Sequence, residues 1–375
     1  MVFVAAGILA GPDALDLVSL DVTHGTAFHV AELALAIVLF SDAARIDLRS
    51  LRGNASLPGR LLGIGMPVTI ALGMAAGAAL LTELEFWEAA IAAAVLAPTD
   101  AALGQAVVSN PLLPARIRQA LNVESGLNDG LTVPFLALFI AIAAEETVPQ
   151  AREWLGFAAE QIGLGTLIGA ATGGIGAWLV ERASARELMT DAFAQLAVVA
   201  LAVLAFLLAD EAGGNGFIAA FVGGLSAGGM GKVCGERIFA FTEREGQLLS
   251  LAVFFMFGVA AIGFLDEANW RIAIYAGLSL TVVRMLAVAL AVAGMGFKAS
   301  SIAFMGWFGP RGLASIILAL VVAEEEPHLP GLGPILAAMT VTVLASVVLH
   351  GLSARPLAAA YARTRSSAVG AVRDP

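Results

Sequence analysis

Ala97-Pro98-Thr99-Asp100 interrupts an apolar stretch that extends from residue 85 to residue 109. A proline inside a helix removes one hydrogen bond and clashes with the carbonyl four residues earlier. Within a membrane, the carbonyls freed in this way must be satisfied by protein, by water or by an ion. The stretch therefore predicts a broken membrane helix with an acidic side chain directly after the break.

A second apolar stretch, from residue 299 to residue 322, is interrupted in the same way by Gly309-Pro310-Arg311-Gly312. Two broken segments, one in each half of a chain, are typical of inverted-repeat transporters whose site lies where two discontinuous helices meet. Helix ends carry about half an elementary charge, positive at the N-terminus and negative at the C-terminus. Asp100 and Arg311 have the signs that would neutralise such ends. A simple proline kink explains either break alone, but two breaks followed by charges favour a crossing.

The composition places the rest of the chain in a membrane. Of 375 residues, 59% are hydrophobic and only 13% are charged, whereas a soluble domain carries roughly a quarter charged residues. Apolar runs long enough to cross a hydrocarbon core of about 30 Å recur throughout. We therefore predict an all-α polytopic membrane protein with about twelve transmembrane helices and inverted repeats. The predicted segments are 1–11, 27–42, 60–81, 85–109, 115–143, 153–180, 188–209, 213–230, 246–264, 270–296, 299–322 and 331–353.

Basic residues predict the orientation of these segments. Most of them fall in every second loop and in the tail: Arg45, Arg49, Arg52, Arg60, Arg116, Arg118, Arg182, Arg186, Lys232, Arg237, Arg244, Lys298, Arg355, Arg363, Arg365 and Arg373. The alternate loops are acidic. The positive-inside rule then puts both termini of this chain in the cytoplasm of a bacterium, with the helices in its inner membrane. Only Met1 to Leu9 precede Ala10-Gly11-Pro12, so we expect a missing piece upstream of this short first segment.

Several function classes find no support in the sequence. It contains no P-loop, no HExxH and no paired CxxC motif, and its one cysteine, Cys234, has no neighbours for a metal site. We predict that the protein is not an enzyme and uses no cofactor. Because the net charge of −10 follows from the acidic loops, it gives no reason to expect a nucleic-acid partner.

The fifth segment contains Asn122-Val123-Glu124-Ser125-Gly126-Leu127-Asn128-Asp129-Gly130. Ser125 and Asp129 share one helix face, and Glu124 and Asn128 share the adjacent ridge. Carboxylate, hydroxyl and carbonyl oxygens are the hard ligands that suit sodium, and desolvation favours the protonated form of a carboxyl group. One carboxylate that holds either a proton or a cation would couple two gradients.

Buried charges are costly in a membrane, about 2.5–3.5 kcal/mol each on insertion scales, so each one needs a reason. Polar contacts between helices are the alternative role for such side chains. We assign that role to Glu124, which we expect to pair with Arg284, because an unpaired buried charge is costly. No second intramembrane cation remains for Asp129, which we therefore interpret as functional.

These motifs together resemble the monovalent cation:proton antiporter family, and within it the NhaP-type Na+/H+ antiporters related to the eukaryotic Na+/H+ exchangers. The resemblance runs through essentially the whole chain. It is carried by four ordered motifs: Ala97 to Asp100, Glu124 to Gly130, Arg284, and Gly309 to Gly312.

The resemblance implies roles for individual residues. Asp129 would bind the cation and the proton, and Ser125 and Thr99 would complete the Na+ shell. Asn128 would belong to the same ion- and proton-binding set. The charge-compensating and structural residues would be Asp100, Arg311 and Asn128 at the crossing, with Glu124 paired to Arg284. An asparagine before the essential aspartate resembles the electroneutral branch, with one cation per proton.

The family's fold implies a six-helix core that moves against a dimerisation domain in an elevator-like step. We expect the core at about 85–180 and 270–354, the scaffold at about 1–81 and 188–264, and a basic cytoplasmic tail at 355–375. The antiporter domain would thus occupy residues 1–354 and form a homodimer in the lipid bilayer.

Two departures from the family stand out. By the resemblance we expect the family's first helix to be missing here, and Phe40-Ser41-Asp42-Ala43 replaces its Phe-Glu-Gly-Gly. Asp42 is a possible accessory ligand, although a solvated interfacial cluster is the simpler interpretation.

The predicted function is exchange of Na+ (or Li+) for H+ by alternating access at Asp129, in the service of pH homeostasis. K+/H+ exchange is an alternative that the same ligands allow. A cation channel or sensor without coupled transport is a further alternative, although broken helices fit a gated midplane site better than an open pore.

Overall fold

The computed structural model describes residues 1–20, 25–44, 46, 55–100, 103–143, 151–230 and 232–370. Most of these residues are helical and none lies in a strand, as the sequence predicts. The helices are α1 Val2–Ala10, α2 Thr26–Ala44, α3 Ser56–Leu80, α4 Phe86–Val95, α5 Gln105–Val108, α6 Ala115–Ala143, α7 Ala151–Ala185, α8 Asp191–Glu211, α9 Gly216–Met230, α10 Lys232–Ala260, α11 Trp270–Ala291, α12 Ala299–Trp307, α13 Leu313–Glu325 and α14 Leu332–Gly370.

Several of these helices match the dimensions of a membrane. In the described part of the chain, six of them are long and apolar enough to cross it: α3, α6, α7, α8, α11 and α14. Shorter apolar helices, Phe86–Val95, Gly216–Gly229 and Gly246–Ala260, lie between them. The order of the helices follows the predicted segments, so the polytopic all-α fold is confirmed.

The two predicted breaks are present. α4 ends at Val95, five residues before Asp100, and the next described helix, α5, begins at Gln105. α12 ends at Trp307, and α13 begins at Leu313. The missing proline N–H and the ring clash explain why the helix does not continue through either stretch.

Two helices contain a wider turn that the hydropathy pattern does not predict. In α3 a π-helical turn covers Leu61–Gly65, and in α11 another covers Ser279–Val283, directly before Arg284. Such turns insert an extra residue into a helix and are frequent near functional sites.

Packing separates the helices into two groups. α7 lies against α8 and α9, α9 against α2, and α1 against α10; α3 lies against α4 and α11, and α14 against α11 and α13. The expected division into a core and a scaffold stays a prediction. In the structure, residues 60–81 pack against α4 and α11, and residues 153–180 pack against α8 and α9. Hydropathy identifies both segments as membrane helices but carries no information about which neighbours they contact.

Glycines bring α7 and α9 into close contact. A Cβ added at Gly169 would overlap the backbone of Ala219, and one added at Gly173 would overlap that of Gly223. This is the small-residue packing that the four-residue glycine spacing of α7 predicts. This packing holds α9 beside α6, the helix that carries Asp129.

Candidate functional site

The two breaks cross each other, and Asp100 holds them together. Its backbone N–H donates to the carbonyl of Pro310 at 2.8 Å. Its carboxylate accepts from the N–H of Leu313 at 2.8 Å and from the N–H of Leu103 at 3.2 Å. Leu313 is the first residue of α13, so this negative charge lies at the positive end of that helix.

Arg311 places a positive charge at the carbonyl ends of the two broken helices. Its Nη1 donates to the carbonyls of Pro98 and Gly309, each at 3.1 Å, close to the ends of α4 and α12. Its backbone N–H donates to the hydroxyl of Ser346 in α14 at 2.7 Å. The guanidinium is fully buried, so its positive charge acts on these carbonyls without competition from solvent.

The crossing is too close for larger residues at two positions. A Cβ at Gly312 would overlap the Asp100 carboxylate, and a Cβ at Gly309 would overlap the Arg284 side chain. Glycine therefore lets the two breaks approach each other and lets Arg284 pass beside them.

Glu124 and Arg284 form a bidentate ion pair. Arg284 Nη1 donates to Glu124 Oε1 at 2.6 Å, and Nη2 donates to Oε2 at 2.9 Å. Both residues are only 2% exposed. Parallel charge-assisted hydrogen bonds of this kind satisfy both ions where water is excluded. The structure thus forms the pair that the sequence predicts, between α6 and α11.

Thr99, Ser125 and Asn128 form one hydrogen-bonded set between the first break and α6. The hydroxyls of Thr99 and Ser125 share a hydrogen bond of 2.9 Å, and Asn128 Nδ2 donates to Thr99 Oγ1 at 2.9 Å. All three residues are buried. The set therefore presents two hydroxyl oxygens and one amide side by side.

Asp129 lies next to this set but is not bonded to it. The residue is 4% exposed, and its Oδ1 has no hydrogen-bond partner among the described residues. The Asn128 Oδ1 is likewise without a partner there. A buried carboxylate normally has its oxygens satisfied. The free lone pairs of Asp129 Oδ1 and Asn128 Oδ1 suit a small hard cation, and the Asp129 carboxylate can bind a proton instead.

Asp42 belongs to the electrostatic surroundings of this site. It lies near the end of α2, partly exposed, and its carboxylate and that of Asp100 act on Asp129 through space. Asp42 thus lies within electrostatic range of Asp129.

Three further side chains at the site were not predicted from the sequence. Ser346 accepts from Arg311, and Thr132 Oγ1 donates to the carbonyl of Asn128 at 2.6 Å. His350 contacts the hydroxyl of Ser346 through Nδ1 at 3.1 Å and the carbonyl of Trp307, the last residue of α12, through Nε2 at 2.9 Å. A polar pair four residues apart in an apolar helix, as Ser346 and His350 are, is the signal that would have found two of them.

Comparisons with known proteins agree with this architecture. The family model described as "Sodium/hydrogen exchanger, transmembrane" matches residues 1–360. A protein of Alkalimonas amylolytica named "K(+)/H(+) antiporter NhaP" is 26% identical over 366 residues, which are 96% of this chain and 61% of that protein. A protein of Shewanella baltica (strain OS223) named "K(+)/H(+) antiporter NhaP2" is 26% identical, over 94% of this chain and 60% of that protein. The chain therefore spans about 60% of the length of these curated relatives.

A solved structure has the same fold. It is that of the sodium proton antiporter MjNhaP1 from Methanocaldococcus jannaschii at pH 8, with a TM-score of 0.80 and 20% sequence identity. The superposition covers 96% of this chain and 92% of that one.

Proposed function

Because the chain belongs to the sodium/hydrogen exchanger transmembrane family, we propose that it exchanges a monovalent cation for protons across a membrane. The observation that carries this proposal is Asp129. It is a buried carboxylate with an open oxygen, beside two hydroxyls and an amide, where two broken helices cross. A buried ionisable side chain of this kind normally marks an ion or proton pathway.

One carboxylate accounts for the coupling. Asp129 holds a proton in one half of the cycle and a cation in the other, since either one neutralises its charge. Thr99 and Ser125 contribute hydroxyl oxygens to the cation, and Asn128 Oδ1 is a further acceptor beside them. Asp42 remains an accessory ligand in this proposal.

The remaining charged side chains have a different task. Asp100 and Arg311 neutralise the helix ends at the crossing, and Glu124 and Arg284 neutralise each other. Because the charges of these groups are compensated within the crossing, the crossing stays intact while Asp129 changes its partner.

Alternating access requires two bodies. From the packing we propose a core of α3 to α6 and α11 to α14, which moves against a scaffold of α1, α2 and α7 to α10. We further propose that two copies associate as a homodimer in a bacterial inner membrane, with both termini of this chain cytoplasmic and without a cofactor.

We propose Na+ (or Li+) as the transported cation, with one cation exchanged per proton. The structural neighbour from Methanocaldococcus jannaschii is a sodium proton antiporter, which supports this choice. K+ is the second candidate, because the curated relatives at 26% identity are named K(+)/H(+) antiporters. A site of hydroxyl, amide and carboxylate oxygens suits either ion, so its size decides between them.

Everted membrane vesicles from a host without its own antiporters test the proposal. A pH-sensitive dye reports proton movement when Na+, Li+ or K+ is added. We expect cation-dependent proton efflux, its loss in Asp129→Asn, and a half-saturating cation concentration that rises as the pH falls, because the proton and the cation compete. Asp266→Asn, the same change at an exposed loop position, is the matched control and should leave exchange intact.

Each outcome has a definite meaning. Exchange that survives in Asp129→Asn would refute the role of Asp129. Cation flux without any counter-moving proton would favour a channel. The cation with the lowest half-saturating concentration identifies the substrate.

A further inference from the structure

α6 and α9 touch through glycines of α6. A Cβ at Gly126 would overlap the ring of Phe221, and a Cβ at Gly130 would contact Ile218 too closely. Gly130 follows Asp129 directly, so the backbone beside the carboxylate lies against α9. In the proposed division, this is a contact between the core and the scaffold.

Pro134 leaves one carbonyl of α6 without its usual donor. It lies inside the helix and has no N–H to donate to the carbonyl four residues earlier. That carbonyl belongs to Gly130, the residue after Asp129. A buried carbonyl without a hydrogen bond is destabilising, especially inside a membrane.

Asn215 supplies the missing hydrogen bond from the other group of helices. Its Nδ2 donates to the carbonyl of Gly130 at 3.3 Å. Asn215 is 4% exposed, so water does not compete for this contact.

The Asn215 side chain is held in place by its own neighbours. Its Oδ1 accepts from the N–H of Ile218 at 2.9 Å, at the start of α9. Its backbone N–H donates to the carbonyl of Gln161 in α7 at 3.0 Å. Because α7 and α9 fix these two groups, Nδ2 can reach the Gly130 carbonyl only while α6 keeps its present position.

We propose that Asn215 is a positioning residue for transport: it satisfies the carbonyl that Pro134 frees, and so holds α6 and Asp129 in this register on α9. Sliding of α6 along α9 breaks this bond. Asn215 therefore favours one of the two states between which the transporter alternates. This inference rests on the proposed function for its motion, but the bond itself is seen in the structure.

The two residues are coupled, which makes the proposal testable. Asn215→Ser keeps a hydroxyl acceptor for the start of α9 but removes the longer amide group whose N–H reaches Gly130. Pro134→Ala gives α6 its own N–H for the same carbonyl. Asn215 should then no longer matter for the position of α6 in the Pro134→Ala background.

Distances between two spin labels report the state without relying on transport. With Cys234→Ser as background, cysteines at Leu112 and Leu188 place labels on the core and on the scaffold, at residues that are 70% and 76% exposed. We expect Asn215→Ser to change the ratio of the distance populations by about fivefold, as expected for one buried hydrogen bond. In the Pro134→Ala background, Asn215→Ser should change this ratio less than twofold.

Asn269→Ser is the matched control. Like Asn215, Asn269 precedes the first residue of a helix and its side chain accepts from backbone N–H groups, but it lies at the start of α11. It should leave the populations unchanged. If Asn215→Ser does not fold, Asn215→Asp keeps the acceptor and the shape of the side chain but has no N–H, and should give the same shift.

The role of Asn215 would be overturned if Asn215→Ser shifted the distance populations equally with and without Pro134→Ala, or did not shift them at all. Exchange assays on the same variants separate this from the proposed function. If the distances shift as expected but no cation drives proton movement, the antiport proposal fails while the positioning role stands.

Discussion

Glu124 and Arg284 illustrate what burial in a membrane requires of single residues. Each has the other as its bidentate partner, and both are almost fully buried. The pair could be predicted because an unpaired buried charge costs several kcal/mol, and each side chain needed an opposite charge within the apolar segments.

Glu124→Gln should therefore destabilise the protein by about 3–5 kcal/mol, since Arg284 remains buried without a counter-charge. The expected result is a clear fall in melting temperature in detergent. Glu124→Met combined with Arg284→Met should recover most of the loss, because no charge is left uncompensated. A double variant as unstable as Glu124→Gln would show that the pair is needed for more than neutralisation.

Asp129 differs from this ion pair, because its Oδ1 has no hydrogen-bond partner among the described residues. The sequence predicts a functional role for it, since no intramembrane cation was left to pair with it, and this role stays a prediction. The open Oδ1 could not be predicted. Which oxygens find partners depends on side-chain directions at the crossing, and these follow from tertiary packing.

At the scale of helices, the crossing of the two breaks depends on close backbone approach. Gly312 lies against the Asp100 carboxylate, which in turn accepts from the first N–H of α13. Proline breaks are visible in a sequence, so both interruptions could be predicted.

Gly312→Ala should push the Asp100 carboxylate away from α13. Overpacking of this kind costs about 1–3 kcal/mol, and we expect a lower melting temperature together with loss of exchange. Gly277→Ala, in α11, is the control, because a Cβ there meets nothing within 4 Å. Normal exchange by Gly312→Ala would mean that the contact between Asp100 and α13 is dispensable.

Other features of the helices lie beyond sequence patterns. The π-helical turn at Ser279–Val283 precedes Arg284 directly, yet its residues look like any apolar helix. Similarly, Pro134 predicts that the Gly130 carbonyl lacks its usual helix donor. The side chain that donates to this carbonyl, Asn215, is 85 residues away along the chain. Such a contact can be identified only once the fold is known.

For the whole molecule, hydropathy predicted the order of the helices. The proposed division into two bodies depends on information that hydropathy lacks, because it rests on which neighbours α3 and α7 contact. Shape complementarity, such as the glycines of α7 against α9, decides those contacts.

A disulfide between the two bodies should stop transport if they move against each other. Gly126→Cys with Phe221→Cys, in a Cys234→Ser background, joins α6 to α9 at a point where a Cβ on Gly126 reaches the Phe221 ring. We expect oxidation to abolish exchange and a reductant to restore it, as measured in everted vesicles.

Gly176→Cys with Leu201→Cys is the matched pair, because Gly176 also faces a large apolar side chain but both helices, α7 and α8, belong to the scaffold. Its oxidation should leave exchange unchanged. Full exchange by the cross-linked α6–α9 pair would rule out sliding at this contact.

The four side chains around the crossing have an electrical consequence. Asp100 and Glu124 carry two negative charges, and Arg284 and Arg311 carry two positive ones, so their sum is zero. Moving one elementary charge through the membrane voltage changes the free energy by about 2.3 kcal/mol per 100 mV. With Asp129 neutralised by either partner, the set carries no net charge, and its loaded movement should be indifferent to voltage. Only the empty site, with one negative charge, would feel the field, so a membrane potential that is negative inside would oppose its inward movement and favour its outward movement.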